Sequence, residues 1–179
     1  MRLDLSSNIT FERVPQKLYR PENDYEEYSL TRYEKVPTLI YENVNRASRK
    51  VADEIVKEMR RKQKNNELFV LGLSGGSSPV SVYEELIRLH KDEKVSFKNL
   101  VVFNTYEFYP IVDVSSCLQS IKEVFLDHID IDPANIYSPD ATVEKDLIGD
   151  KCEDYQQKLH QLGGLDFLLL GLGSKGNIG

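Results

Sequence analysis

The chain has 179 residues, 40% of them apolar and 29% charged, with a net charge of −6; that is enough apolar material for one domain with a real core, and a balance that does not favour a nucleic-acid or anionic-membrane surface. Its two cysteines, Cys117 and Cys152, lie far apart without metal spacing, no secretory signal opens the chain, and no apolar run approaches a membrane span. A reducing, cytoplasmic setting without metal or membrane attachment is the resulting expectation.

Residues 1–36 are polar and tyrosine-rich, with Pro15, Pro21 and an acidic block from Glu22 to Tyr28 that has no helical or strand period. They read as an irregular arm that packs through Phe11, Tyr19, Tyr25, Tyr28 and Tyr33 or mediates contacts between subunits; the composition equally suits a partly disordered extension. Residues 37–179 read as one α/β domain. From Pro37 to about Gln63, Ile40, Val44, Ala47, Val51, Ile55 and Met59 recur at spacings of three and four, the pattern of one long amphipathic helix lying on a sheet. Arg60, Arg61 and Lys62 at its polar end read as a solvated cap that suits the helix dipole. Asn65 and Asn66 end it.

The central stretch follows. Leu68 to Leu73 is a short apolar run, Ser74-Gly75-Gly76-Ser77-Ser78-Pro79 is a loop, and Val82, Leu86 and Leu89 mark one helix face. This is strand, loop, helix, with Ser78 expected as the N-cap and Pro79 at the first helical position. Free N–H groups of such a loop and the start of the helix favour an anion, most often a phosphate. No lysine follows the glycines and no third glycine stands at the dinucleotide spacing, so a nucleotide is not the first expectation.

A charged loop at Lys91–Lys94 leads to a second buried strand, Leu100–Phe103, and a right-handed crossover between the two strands places the loops after them on one edge. Asn104 to Pro110 is the second of those loops. Ser115 to Ile129 reads as a helix through Leu118, Ile121, Phe125 and Ile129, and Asn135-Ile136-Tyr137 as a short strand. A further helix carries Ile148, Cys152, Tyr155, Leu159 and Leu162 in register, with Cys152 in the core and Gly163-Gly164 as its terminator. The last apolar run, with Phe167–Gly171 at its centre, is expected as a third strand buried on both faces, parallel to the other two. It runs out in Ser174 to Gly179 with no helix after it, which suggests a piece of a longer protein. His90, His128 and His160 fall at polar positions and read as surface residues.

Several of these stretches resemble the glucosamine-6-phosphate deaminase and 6-phosphogluconolactonase superfamily: the Leu71-Gly72-Leu73 strand with its Gly/Ser loop and Pro79, Val82-Tyr83-Glu84-Glu85-Leu86, Ser96-Phe97-Lys98-Asn99, Leu118-Gln119-Ser120, Asp127 to Ile131, Pro139-Asp140 and Gly163-Gly164-Leu165-Asp166. The likeness covers nearly everything from Thr38 onward, and the arm is similar to that of a longer bacterial subgroup fused to a deacetylase-like domain. It implies a Rossmann-like parallel sheet with helices on both faces, incomplete at the C-terminus, in a homo-oligomeric protein that handles a small-molecule sugar phosphate, with no organic cofactor, metal, nucleic acid or membrane.

The family's chemistry, by the same resemblance, uses an aspartate to move the C2 proton and a histidine to help open the sugar ring. The aspartate belongs to Asn-x-Asp-Glu-Tyr, which here reads Asn104-Thr105-Tyr106-Glu107-Phe108; the histidine belongs to Gly-x-Asp-Gly-His-Ile, here Gly173-Ser174-Lys175-Gly176-Asn177-Ile178. Tyr106, Lys175 and Asn177 therefore stand at altered positions, Glu107 is the remaining candidate base, and Ser74, Gly75, Gly76, Ser77 and Ser78 are the candidate phosphate ligands. Tyr106, Glu107, Lys175 and Asn177 are all expected to face that loop. Three readings follow: a deaminase-like enzyme with an impaired site, a sugar-phosphate-binding or regulatory module, and a lactonase. Ser74-Gly75-Gly76-Ser77 is closer in spelling to the lactonase branch, whereas deaminases usually carry Thr-Gly there; Asn177 counts against both activities. Asp127 to Asp132 and the arm favour the deaminase branch.

Overall fold

A computed structural model of the chain describes residues 16–111, 116–173 and 175–178. They fall into two compact units, divided between Val51 and Ala52.

The first unit contains α1 (Gln16–Tyr19), α2 (Asp24–Thr31) and the start of α3 (Val44–Lys64). The helix α2 corrects the irregular reading of the arm. None of its residues is buried, so no apolar period announces it; its ends hold it instead. The Asn23 side chain accepts the Glu26 N–H at 3.0 Å, the Glu26 carboxylate accepts the Glu22 N–H at 2.7 Å, and Asp24, Glu26 and Glu27 in the first turn suit the dipole. Phe11 lies outside the described residues. The expected helix from Pro37 begins only at Val44, because the Asn43 side chain accepts the Arg46 N–H at 3.0 Å and caps it there.

In the second unit, α3 buries Ala52, Ile55 and Met59 and ends where Asn66 turns left-handed at φ 57°. Four strands, β1 (Phe69–Leu73), β2 (Leu100–Asn104), β3 (Ile136–Tyr137) and β4 (Phe167–Leu168), form one sheet in the order β3-β2-β1-β4, every pair parallel. Between them run α4 (Val80–Glu93), α5 (Cys117–Val124) and α6 (Ile148–Gln161). All five residues of β1 and of β2 are buried. Since successive side chains of a strand point to opposite faces, both faces are covered there. On one face Val70, Val101 and Phe103 pack against Tyr137, Tyr155, Leu159 and Leu162. Elsewhere in the core, Phe125 stacks on Tyr83 at 5.0 Å and meets Phe97 edge-on at 6.1 Å.

Four sequence readings are corrected. The strand β4 is a short strand with Leu168 45% exposed, and Leu170 after it is 42% exposed, against the reading of a strand buried on both faces; among the described residues it pairs with β1 alone, and an apolar run signals fitness for burial, not the presence of a cover. Cys152 is exposed, because α6 meets the sheet through Tyr155 and Leu159 in its second half. The helix expected over Ser115–Ile129 runs only from Cys117 to Val124, broken at Phe125 (φ −144°) and followed by a 3₁₀ turn; Ser115 itself lies outside the described residues. His90, finally, is half-buried, its Nδ1 2.6 Å from the Val95 carbonyl oxygen, whereas His128 and His160 are exposed as expected.

Gly163 and Gly164, both at positive φ, end α6 as the sequence suggested, and the Gly164 N–H reaches the Leu159 carbonyl at 3.0 Å. Gly72 has another role: a β-carbon there would lie 2.6 Å from Leu168 Cδ1 and 2.9 Å from Leu165 Cδ1, so its missing side chain lets the edge strand close on the sheet. Asp166 fixes the same edge. Its carboxylate accepts the Val70 N–H at 2.9 Å and pairs with Lys62 Nζ at 2.8 Å. Among the described residues no helix is long and apolar enough to cross a membrane.

Phe125→Ala removes the ring that joins Tyr83 and Phe97, and is expected to lower the unfolding free energy by about 3–5 kcal/mol in chemical denaturation.

Candidate functional site

The loop after β1 begins with a residue that is closed to ligands. Ser74 is fully buried; its hydroxyl donates to the Leu169 carbonyl at 3.2 Å and its own carbonyl accepts the Tyr83 hydroxyl at 2.8 Å. Its hydroxyl and carbonyl tie the end of β1 to the chain after β4 and to α4. The next four residues differ. The N–H groups of Gly75, Gly76, Ser77 and Ser78 have no hydrogen-bond partner among the described residues. Gly76 turns the chain at φ 94°, a conformation that costs glycine little, and Gly76, Ser77 and Ser78 are exposed.

The 14-residue helix α4 starts at Val80, with Pro79 at the cap position and no side-chain cap bond. Ser78 is therefore not the cap that the sequence suggested; Pro79's carbonyl instead accepts from Val82 and Tyr83. Among the described residues the Ser77 and Ser78 hydroxyls have no hydrogen-bond partner. Positive potential at a helix start and free donors together form an anion-binding geometry.

The loop after β2 reaches the same place. Leu73 lies opposite Asn104 in the ladder, and the Thr105 N–H donates to the Leu73 carbonyl at 2.9 Å. Asn104 is fully buried; its amide donates to Ser138 at 2.9 Å, while its Oδ1 and the Thr105 hydroxyl are buried without partners. Tyr106 leans on the anion loop: a β-carbon at Gly75 would lie 3.5 Å from its hydroxyl, and 3.6 and 3.7 Å from Cys117 Cβ and Sγ. Burial pushes the Tyr106 phenol above its ordinary value, and Cys117 and Glu107 beside it act in the same direction.

Glu107 turns away to another task. Its carboxylate accepts the Ser116 hydroxyl at 2.6 Å and the N–H groups of Cys117 at 2.7 Å, Leu118 at 3.1 Å and Phe108 at 3.2 Å, which closes the N-terminus of α5. Burial raises its pKa, but these hydrogen bonds outweigh burial and hold the carboxyl below its usual range. A carboxylate so bound is poorly suited to take a proton near neutral pH, against the reading of Glu107 as the working base.

Lys175 and Asn177 sit in a tight hairpin, with Leu172 and Ile178 bridged in antiparallel fashion, the Gly173 N–H on the Asn177 carbonyl at 2.8 Å and the Gly176 N–H on the Gly173 carbonyl at 2.9 Å. Both are exposed, and the Asn177 amide folds back over Gly173. Of the four side chains expected to face the loop, Tyr106 is brought to it, while Glu107 is turned to α5 and Asn177 folds over Gly173. The C-terminal segment reaches the loop through Gly171 instead, where a β-carbon would lie 3.0 Å from Ser78 Cβ. Cys117 was not singled out from the sequence, where a cysteine without a partner at metal spacing carries no signal, and Asn104 and Thr105 were marked only as members of the motif, without a role of their own.

Glu107→Ala is expected to cost about 1–3 kcal/mol, a lost cap with buried donors left open. Because the folded pKa is depressed, the stability from Glu107 is complete above the unfolded carboxyl value of about 4.3 and disappears as pH falls through the lower folded value. Denaturant midpoints measured from pH 7 to pH 3 should thus fall more steeply in the unmodified chain than in the alanine variant.

Comparison with known proteins gives a consistent picture. Residues 42–178 match the family model described as glucosamine-6-phosphate isomerases/6-phosphogluconolactonase. A glucosamine-6-phosphate deaminase-like protein of Bacteroides thetaiotaomicron is 49% identical over 99% of this chain, which spans 27% of that protein. The glucosamine-6-phosphate deaminase of Halothermothrix orenii is 34% identical over 79% of the chain and 57% of its own length. Among solved structures, a monomeric glucosamine-6-phosphate deaminase superposes with a TM-score of 0.68 at 30% identity, covering 76% of this chain and 55% of that one, and a 6-phosphogluconolactonase from Plasmodium vivax with a TM-score of 0.61 at 25% identity, covering 75% and 45%. The chain thus spans from about a quarter to just over half the length of these relatives. A parallel α/β sheet with this loop order, matched along most of its length, belongs to the glucosamine-6-phosphate isomerase/6-phosphogluconolactonase family.

Proposed function

We propose that this chain is a glucosamine-6-phosphate deaminase-like domain that holds a sugar phosphate at the Gly75–Ser78 loop and is impaired in proton transfer. The observation that carries the reading is the run of four consecutive N–H groups, Gly75 to Ser78, without a partner among the described residues, at the start of a long helix and on the edge of a parallel sheet where ligands bind in such folds. The unpartnered Asn104 Oδ1 and Thr105 hydroxyl beside it supply polar atoms for the rest of such a ligand. Relatives with a deaminase name, at 34% and 49% identity, favour an amino-sugar phosphate. One structural relative is monomeric, so family membership alone does not dictate the homo-oligomer expected from the sequence.

Impairment follows from the residues at the two motif positions. Tyr106 replaces the acid, Asn177 cannot titrate, and Glu107 is bound up in the cap of α5. Losing a positioned acid or base costs a factor of about 10² to 10⁴ in rate, and two such losses leave no useful turnover. The lactonase reading is supported by the Plasmodium vivax structure and by the Ser74-Gly75-Gly76-Ser77 spelling, and it meets the same obstacle at Asn177.

Two measurements test this. In a thermal-shift series, glucosamine-6-phosphate is expected to raise the melting temperature more than fructose-6-phosphate or 6-phosphogluconate, since a ligand at about 100 times its Kd adds about 2.7 kcal/mol to the folded state. A coupled assay is expected to detect no ammonia above background from glucosamine-6-phosphate. Turnover proportional to the amount of protein would overturn the impairment, and absence of any shift would overturn the binding.

A further inference from the structure

The two departures from the deaminase spelling around the loop meet in space. Glycine stands at 75, where deaminases usually carry threonine, and tyrosine at 106, where they carry aspartate. The Tyr106 hydroxyl lies 3.5 Å from the point where a β-carbon at Gly75 would sit, with Cys117 Cβ at 3.6 Å from the same point. A β-branched side chain would set its γ atoms against the phenol and the thiol. Glycine leaves that room open, and the phenol enters it.

The neighbourhood is that of a ligand. Gly75 to Ser78 offer N–H groups without protein partners. Asn104, with no exposed surface, has an unpartnered Oδ1, and the buried Thr105 hydroxyl, one residue before Tyr106, is likewise unpartnered, its backbone N–H fixed on Leu73 at 2.9 Å. A phenol of ordinary pKa, about 10, is a neutral donor near pH 7, where an aspartate is an anion.

We propose that Tyr106 is a specificity residue of this site: its uncharged hydroxyl, seated against Gly75, donates a hydrogen bond to the phosphate group of a phosphomonoester held by the N–H groups of Gly75 to Ser78. The inference rests on the reading of the loop as a phosphate site and adds to it a side-chain ligand and a reason for the glycine.

Inorganic phosphate and glucosamine-6-phosphate are titrated calorimetrically into the unmodified chain, Tyr106→Phe and Tyr106→Asp. Tyr106→Phe is expected to weaken both ligands by about 3- to 10-fold, the loss of one hydrogen bond to a charged group, while the melting temperature of the ligand-free chain stays nearly unchanged. Tyr106→Asp, whose shorter side chain carries no donor when ionised, is expected to weaken both at least as much as Tyr106→Phe does. Unaltered affinities in Tyr106→Phe, with or without a lower melting temperature, would overturn the proposal and leave the loop reading in place. Binding of neither ligand by the unmodified chain would overturn the loop reading and this proposal with it.

Discussion

A strand buried over its whole length cannot slide, and β1 is such a strand. A shift of one residue would exchange its two faces, taking Val70 away from Val101 and Phe103 and moving Gly72 from under Leu165 and Leu168. The register with β2 continues to Leu73 opposite Asn104, and beyond the strand the bonding goes on: Thr105 donates to Leu73, Tyr83 to Ser74, and Ser74 to Leu169. Beyond Ser74, the N–H groups of Gly75 to Ser78 have no partner among the described residues. The unbonded N–H groups are thus the place where the hydrogen-bond pattern of a fixed sheet stops and that of α4 has not yet begun.

The same constraint gives Glu107 its role. A carboxylate that accepts three backbone N–H groups and a hydroxyl holds the start of α5, and the first residue of that helix is Cys117, which lies against Gly75. Glu107 thus fixes the helix start that sets Cys117 against Gly75. To act as a base it would have to release donors that have no other acceptor, and its lowered pKa measures how strongly they prefer the charged form. Two adjacent residues, Tyr106 and Glu107, therefore take separate duties, one facing the anion loop and one facing a helix end.

Much of this fold was legible in the sequence because burial writes itself there as period or as continuity. Uninterrupted apolar runs located β1 and β2, and spacings of three and four located α3, α4 and α6. What escaped depends on neighbours. The helix α2 is stabilised by its capping side chains and has no apolar stripe to read, although Asn23 followed by Glu26 is a capping pattern in plain view. Leu168 and Leu170 have the composition of a core strand, but composition does not say what lies opposite. Cys152 shares the register of Tyr155 and Leu159, yet register places a residue on a face and not at a contact. At the site, the motif spelling marked residues 104–108 and 173–178 as two loops of interest, while the division of labour between Tyr106 and Glu107, and the withdrawal of Asn177 over Gly173, are decided by hydrogen bonds that no spacing encodes.

Binding and catalysis in this architecture rest on different parts of the chain, and that difference governs what substitution can remove. The donors of the anion loop are main-chain N–H groups, present whatever the side chains are, provided glycine remains where φ is positive and the strand before them stays in register. The acid and base that move protons are side chains, each lost by a single replacement. Under the proposed function, a chain with Tyr106 in place of the family's aspartate and Asn177 in place of its histidine keeps main-chain donors for a phosphate and lacks the side chains that would act on the sugar. On the proposed reading, a member of this family drifts toward binding without turnover because its phosphate site is built into the backbone of the sheet edge, and its chemistry is not.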